Sequence, residues 1–223
     1  MRSASLALSI ALLVPLLASD AQTQEHPQTS GPSGTPLFQD DFSKPANDWT
    51  VAKTQFAEFS YADGEYRILL NKPDFNTYSI LPGQKFDDVS VEVDARLVSG
   101  PGNGVFGLLC RGEADDRSAS KAYIFAIRAD GFYAILKRTS PTFWDAIAMG
   151  SGSKVIKLGN STNHLRAVCS GDKLTFYVNG EKLLEKTDAS FSGGLVGLAV
   201  TSQPKSEPMD VRFDNFVVRS IAP

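Results

Sequence analysis

The chain has 223 residues, 42% of them hydrophobic and 21% charged, an ordinary balance for a globular protein. A formal net charge of −3, with no cluster of Lys or Arg, argues against a nucleic-acid partner. Two histidines and two cysteines leave little room for histidine catalysis or a His/Cys metal site.

In chain order, Arg2 and the uncharged apolar run of residues 6–17 precede Ser19-Asp20-Ala21, a small-x-small pattern. Residues 1–21 read as a secretory signal peptide, and the run is too short for a membrane span. A short membrane anchor is the alternative. Residues 22–36 are polar and rich in Pro, Gly, Ser and Thr. Such a stretch cannot bury enough apolar surface to fold and reads as a disordered linker. Residues 37–223 are one domain's worth of chain. No second apolar stretch is long enough to span a bilayer, and the expectation is a secreted or periplasmic monomer.

The strand signals begin with LFQDDF at 37–42, followed by a loop at 43–48 and a strand-like run from Trp49. Residues 56–61 and 65–70 flank Ala62-Asp63-Gly64 as a hairpin, and residues 71–78 read as a loop. DVSVEVDARLV at 88–98 alternates strictly, with Val89, Val91, Val93, Ala95 and Leu97 on one face and Ser90, Glu92, Asp94 and Arg96 on the other. That pattern means one buried and one wet face.

Residues 105–138 read as an antiparallel meander. Asp130-Gly131 marks a hairpin, because Gly takes positive φ without steric cost. Residues 139–153 are irregular and place Phe143 and Trp144 in a loop. Residues 154–158 read as a short strand. Gly171-Asp172 and Asn179-Gly180 mark two further tight turns, and residues 194–201 and 209–220 supply the closing strands. No stretch reads as a helix. The pattern predicts an all-β fold, an antiparallel sandwich or barrel.

Cys110 shares a face with Phe106 and Leu108, and Cys169 with Leu165 and Ala167. In an exported protein a Cys110–Cys169 disulfide is the favoured reading. Two separate buried thiols acting as small hydrophobes are the alternative.

LFQDDFS with Trp49, GLLCRG, AYIFAIRADGFYAI, LRAVCSGDKLTFYVNGEKL and VRFDNFVV together resemble the concanavalin A-like, or laminin-G-like, jelly-roll domains of secreted bacterial proteins. The resemblance covers residues 37–220 and implies two antiparallel sheets packed face to face, one of them concave. It does not imply one activity, because this superfold hosts lectins, glycosidases and adhesion modules. A related secreted family of 3-keto-disaccharide hydrolase-like domains shares the strand grammar. None of its catalytic positions is carried onto this chain.

Glu92-x-Asp94-x-Arg96 resembles the E-x-D-x-E strand of retaining β-glucanases, with Arg96 in place of the third acid, so the double displacement lacks its proton donor. A solvated strand face is the competing reading. His164 reads as a strand-edge residue. Asp40, Asp41 and Asp214 fall near the two ends of the domain, which jelly rolls often place side by side. They are a candidate Ca²⁺ set, a reading raised by the resemblance to carbohydrate-binding jelly rolls. Turn and edge acids accepting backbone hydrogen bonds are the alternative.

With Phe106, Leu108 and Cys110 facing the core, Arg111 and Leu109 face out, and Tyr123, Phe125, Tyr133, Lys137 and the loop residue Trp144 are candidates to line one exposed ligand-binding face, where aromatics stack on sugar rings and Arg bonds hydroxyls. Strand parity does not say which side of Tyr123 and Phe125 is inward, and both read equally as core. The function expected is a non-catalytic secreted sandwich that binds carbohydrate or another extracellular surface component. The alternatives are a glycoside hydrolase or related sugar-processing enzyme, and a structural or adhesion module of the envelope.

Overall fold

A computed structural model describes residues 34–45, 49–115, 118–140, 143–205 and 207–221; the expected signal peptide and most of the expected linker lie outside them. Every regular element among the described residues is a strand: β1 (Pro36–Asp40), β2 (Ala52–Lys53), β3 (Ala57–Ala62), β4 (Glu65–Leu70), β5 (Asn76–Ile80), β6 (Val89–Ser99), β7 (Val105–Asp115), β8 (Ser118–Arg128), β9 (Tyr133–Ser140), β10 (Phe143–Gly150), β11 (Asn163–Ser170), β12 (Lys173–Val178), β13 (Glu181–Thr187), β14 (Leu195–Thr201) and β15 (Met209–Ser220). They form two antiparallel sheets. The nine-stranded sheet runs β13-β12-β11-β6-β15-β4-β3-β2, with β1 beside the second half of β15, and the six-stranded sheet runs β10-β9-β8-β7-β14-β5.

The apolar half of the β6 alternation does what it predicts, while Ser90 and Glu92 on the opposite face are buried too rather than wet. Val89, Val91, Val93, Ala95 and Leu97 enter the interior, where they meet Phe106, Leu108 and Phe125 from the other sheet. Each fully buried aliphatic or Phe side chain contributes about 1.5–3 kcal/mol, so the interior between the sheets is the main source of stability. Asp63-Gly64 and Asn179-Gly180 each take positive φ at both residues, the requirement of a two-residue hairpin turn. The Asn179 side chain also donates to Val155 O, fixing the neighbouring loop.

Three assignments change. β5 begins at Asn76, inside the stretch 71–78 expected as a loop. Residues 143–150 form an edge strand rather than a loop, and its alternation is blurred by two register shifts against β9. Residues 154–158 form a turn and irregular loop rather than a strand. Cys110 of β7 and Cys169 of β11 are joined in a disulfide that ties one sheet to the other.

Candidate functional site

Pairing registers place Asn76, Tyr78 and Ile80 of β5, Gly197, Ala199 and Thr201 of β14, and Val105, Gly107 and Leu109 of β7 on the outer face of the six-stranded sheet. Ala122, Ile124, Ala126 and Arg128 of β8 share that face with Ala134, Leu136 and Arg138 of β9. An outer face should be wet, yet Leu109, Ile124 and Ala126 are buried within a second apolar cluster. The reason is curvature. Tyr78 and Arg138 are four strand spacings apart, about 19 Å on a flat sheet. Arg138 Nη1 nevertheless donates to Tyr78 Oη at 3.0 Å, and the guanidinium lies 5.1 Å from the phenol ring centre. The sheet curls so that its outer face is the hollow side. Small residues at Gly107, Ala126 and Ala199 floor the hollow and let the two ends approach. Burial pushes the Tyr78 phenol up to about 12, against the pull of Arg138, so its oxygen stays a neutral acceptor.

At the rim of this hollow lies a cleft of about 380 Å³, lined by Asp74, Val105, Arg128, Phe132, Leu136, Trp144, Thr201, Ser202 and Gln203. The cross-strand register of β10 sets the half-buried Trp144 beside Arg138 on the hollow side. Phe132 comes from the β8–β9 turn, and the Arg128 guanidinium lies 5.0 Å from its ring centre while pairing with Asp130. Asp74 sits in the loop before β5, with φ of 51°. Ser202 anchors that loop by donating to Lys72 O at 2.7 Å and accepting from Phe75 N at 3.1 Å. Aromatic walls with a few hydroxyl, amide and charged groups suit a ligand that has both an apolar face and hydroxyls.

Of the residues expected on one exposed face, only Trp144 lines this cleft. Arg111 is 1% exposed. The register of β7 slips between Cys110 and Glu113, and Arg111 takes φ of 54° there, so strand parity no longer predicts its direction. Its guanidinium bonds Gly171 O, Phe191 O and Asp88 Oδ1 at 2.7, 2.8 and 3.0 Å and pins three loops together. Tyr123 is buried in the interior and donates to Asp188 Oδ1. Lys137 lies on the inner side of β9 and holds the same Asp188 at 2.8 Å. Burial alone would raise the Asp188 carboxyl, but hydrogen bonds from Lys137, Tyr123 and Ser190 hold it well below the ordinary range. Tyr133 packs against the main core. None of these four residues lines the cleft. Of the lining residues the sequence reading missed, Asp74, Phe132, Ser202 and Gln203 sit in loops and turns, where no periodicity marks direction, while Val105, Arg128, Leu136 and Thr201 sit on strands of the curled sheet.

The outer face of the nine-stranded sheet carries the Glu92/Asp94 pair, and it is an ion-paired network rather than a solvated surface. His164 lies within β11, opposite Asp94, not at a strand edge. Its Nδ1 is 2.8 Å from Asp94 Oδ1 and its Nε2 is 3.7 Å from Glu92 Oε2. The hydrogen bond to Asp94 and the nearby Glu92 carboxylate outweigh burial and raise the imidazole to about 9. Asp94 Oδ2 accepts from Asn215, and Glu92 is nearly fully buried beside Arg219. Arg96 pairs with Glu65. Both acids are committed to neighbours, and neither lines the cleft.

The three acids suggested for calcium have other work. Asp40 accepts from Phe42 N and Trp49 Nε1, Asp41 from Ser43 N and Oγ, and Asp214 from Asn215 N. Calcium takes six to eight oxygens. Among the described residues no group of three or more His, Cys, Asp or Glu side chains is placed to hold a metal ion. The residues present do not fit a calcium site.

Two stacked antiparallel sheets, one curled around a floor of small residues, define a jelly-roll sandwich of the concanavalin A-like class. The family model of the 3-keto-alpha-glucoside-1,2-lyase-like domain matches residues 35–219, and the chain belongs to that family. The carbohydrate binding module CBM66 from Bacillus subtilis is similar at a TM-score of 0.63 and 21% identity, over 78% of this chain and 98% of that one. A Bacillus subtilis protein of unknown function with a galectin-like fold gives 0.65 at 16% identity, over 84% and 96%. The catalytic domain of an endo-1,3-beta-glucanase from Thermotoga petrophila gives 0.56 at 10% identity, over 86% and 99%. At such identities the likeness is one of fold. Comparison with curated proteins returns no match.

Proposed function

We propose that this protein is an exported, non-catalytic sandwich that binds carbohydrate in the cleft of its curled sheet. The observation that carries the reading is the half-buried Trp144 set across the cleft from Asp74, Thr201 and Gln203, with Phe132 and Arg128 beside it. A sugar ring has an apolar face for the indole and hydroxyls for the carboxylate, amide and guanidinium. The disulfide between the sheets supports export to an oxidising compartment. The likeness to a carbohydrate binding module supports the ligand class. The test is a glycan array followed by titration calorimetry, comparing the native protein with Trp144→Ala. Binding to a glycan, weakened about tenfold by the substitution if the indole contact is worth as much as an aromatic stacking contact of about 1–3 kcal/mol, supports the reading. A native protein that binds no glycan, or binds one equally well without Trp144, overturns it.

A second reading follows from the family description and from Asp74. Hydrolysis at an anomeric carbon calls for two carboxylates. Elimination next to a ketone needs one base to take the acidic proton beside the carbonyl. Asp74 is the one carboxylate among the residues lining the cleft. Release of product from a 3-keto glucoside, abolished by Asp74→Asn, would replace the binding reading with this one.

A further inference from the structure

The walls of the cleft come from opposite edges of one sheet. Trp144 belongs to edge strand β10, while Asp74 leads directly into edge strand β5, whose only strand partner among the described residues is β14. Backbone ladders fix each neighbouring pair of strands but leave the overall curl soft, and a floor of Gly107, Ala126 and Ala199 has no bulk to set it. The direct link across the hollow is made by Arg138, which donates to Tyr78 Oη at 3.0 Å and to Asn76 Oδ1 at 3.4 Å, both on β5. Arg138 is 1% exposed and is the cross-strand neighbour of Trp144.

We propose that this clasp is a positioning device: by tying β5 to β9 it sets the width of the cleft and holds the Asp74 wall opposite Trp144. The proposal rests on the carbohydrate reading of the cleft for its consequence in binding, but not for its structural claim. Neither Tyr78 nor Arg138 lines the cleft, so both act through residues that do.

Tyr78→Phe tests it. The ring stays beneath the guanidinium and the acceptor oxygen goes. Two readouts separate the claims. The protein has two tryptophans, and Trp49 is 4% exposed, so acrylamide quenching reports chiefly on Trp144 without any ligand. The expected result is stronger quenching in Tyr78→Phe, with glycan affinity down about tenfold, the worth of one hydrogen bond to a charged donor. Unchanged quenching overturns the clasp whether or not the native protein binds a glycan. Changed quenching in a protein that binds no glycan upholds the clasp while the function proposed above fails. Unchanged affinity in a native binder also overturns the proposal. Should Tyr78→Phe not fold, Asn76→Ala removes the second strut, and the same two readouts decide.

Discussion

Replacing both cysteines by alanine should expose how far the two sheets rely on their covalent tie. Cys110 and Cys169 are 59 residues apart in sequence, and both are fully buried. Closing a loop of that length removes enough freedom from the unfolded chain to favour folding by about 4 kcal/mol in the chain-entropy treatment. With an m-value of about 2 kcal/mol per M in urea, the unfolding midpoint of Cys110→Ala/Cys169→Ala should fall by about 2 M. The voids left by two sulfurs add a smaller cost in the same direction. The assay is urea unfolding followed by circular dichroism, with and without dithiothreitol. Reductant should destabilise the native protein and leave the double variant unmoved, because the variant has no disulfide to reduce. The thiol count must agree: alkylation in denaturant without reductant should label none. Two labelled thiols, or a midpoint indifferent to reductant, would refute the tie and return the cysteines to the role of small hydrophobes.

Two other outcomes follow from the network residues. The raised His164 group, at about 9 against an ordinary 6.5, stabilises the fold in its protonated form. That contribution is complete below pH 6.5 and is lost as pH climbs to 9, so stability should decline across that window and flatten in His164→Gln. A decline of the same slope in the variant would assign it to another group. Asp188→Ala strands the Lys137 ammonium and the Tyr123 hydroxyl and should cost about 2 kcal/mol, below the range for fully buried pairs because the pair sits at the rim of the sandwich. Thermal unfolding unchanged within about 0.5 kcal/mol would contradict it.

The strands and turns were largely legible because one apolar face per strand leaves a period of two in the sequence, and Val89 to Leu97 of β6 show it without interruption. Legibility failed where that premise failed. In β8 both faces are buried, one against the other sheet and one inside the curl, so Tyr123 and Ile124 carry no mark of direction. Arg111 sits at a bulge that resets parity, and β10 is an edge strand with two register shifts. Trp144 stands out by its aromatic chemistry even though its segment reads as a loop. The clasp between Tyr78 and Arg138 joins residues 60 apart in the chain, and only curvature brings them together. The His164 network was equally hidden, because it depends on which residue of β11 stands opposite Asp94.

The pairing of β1 with the end of β15 brings Pro36 opposite Arg219, so the two extremities of the domain emerge together. A pull applied through both would not load the whole sandwich in shear. It would peel the ladder one rung at a time from its outermost bond, Ser220 N to Thr35 O, and the first strand would detach at low force while the core stayed shut.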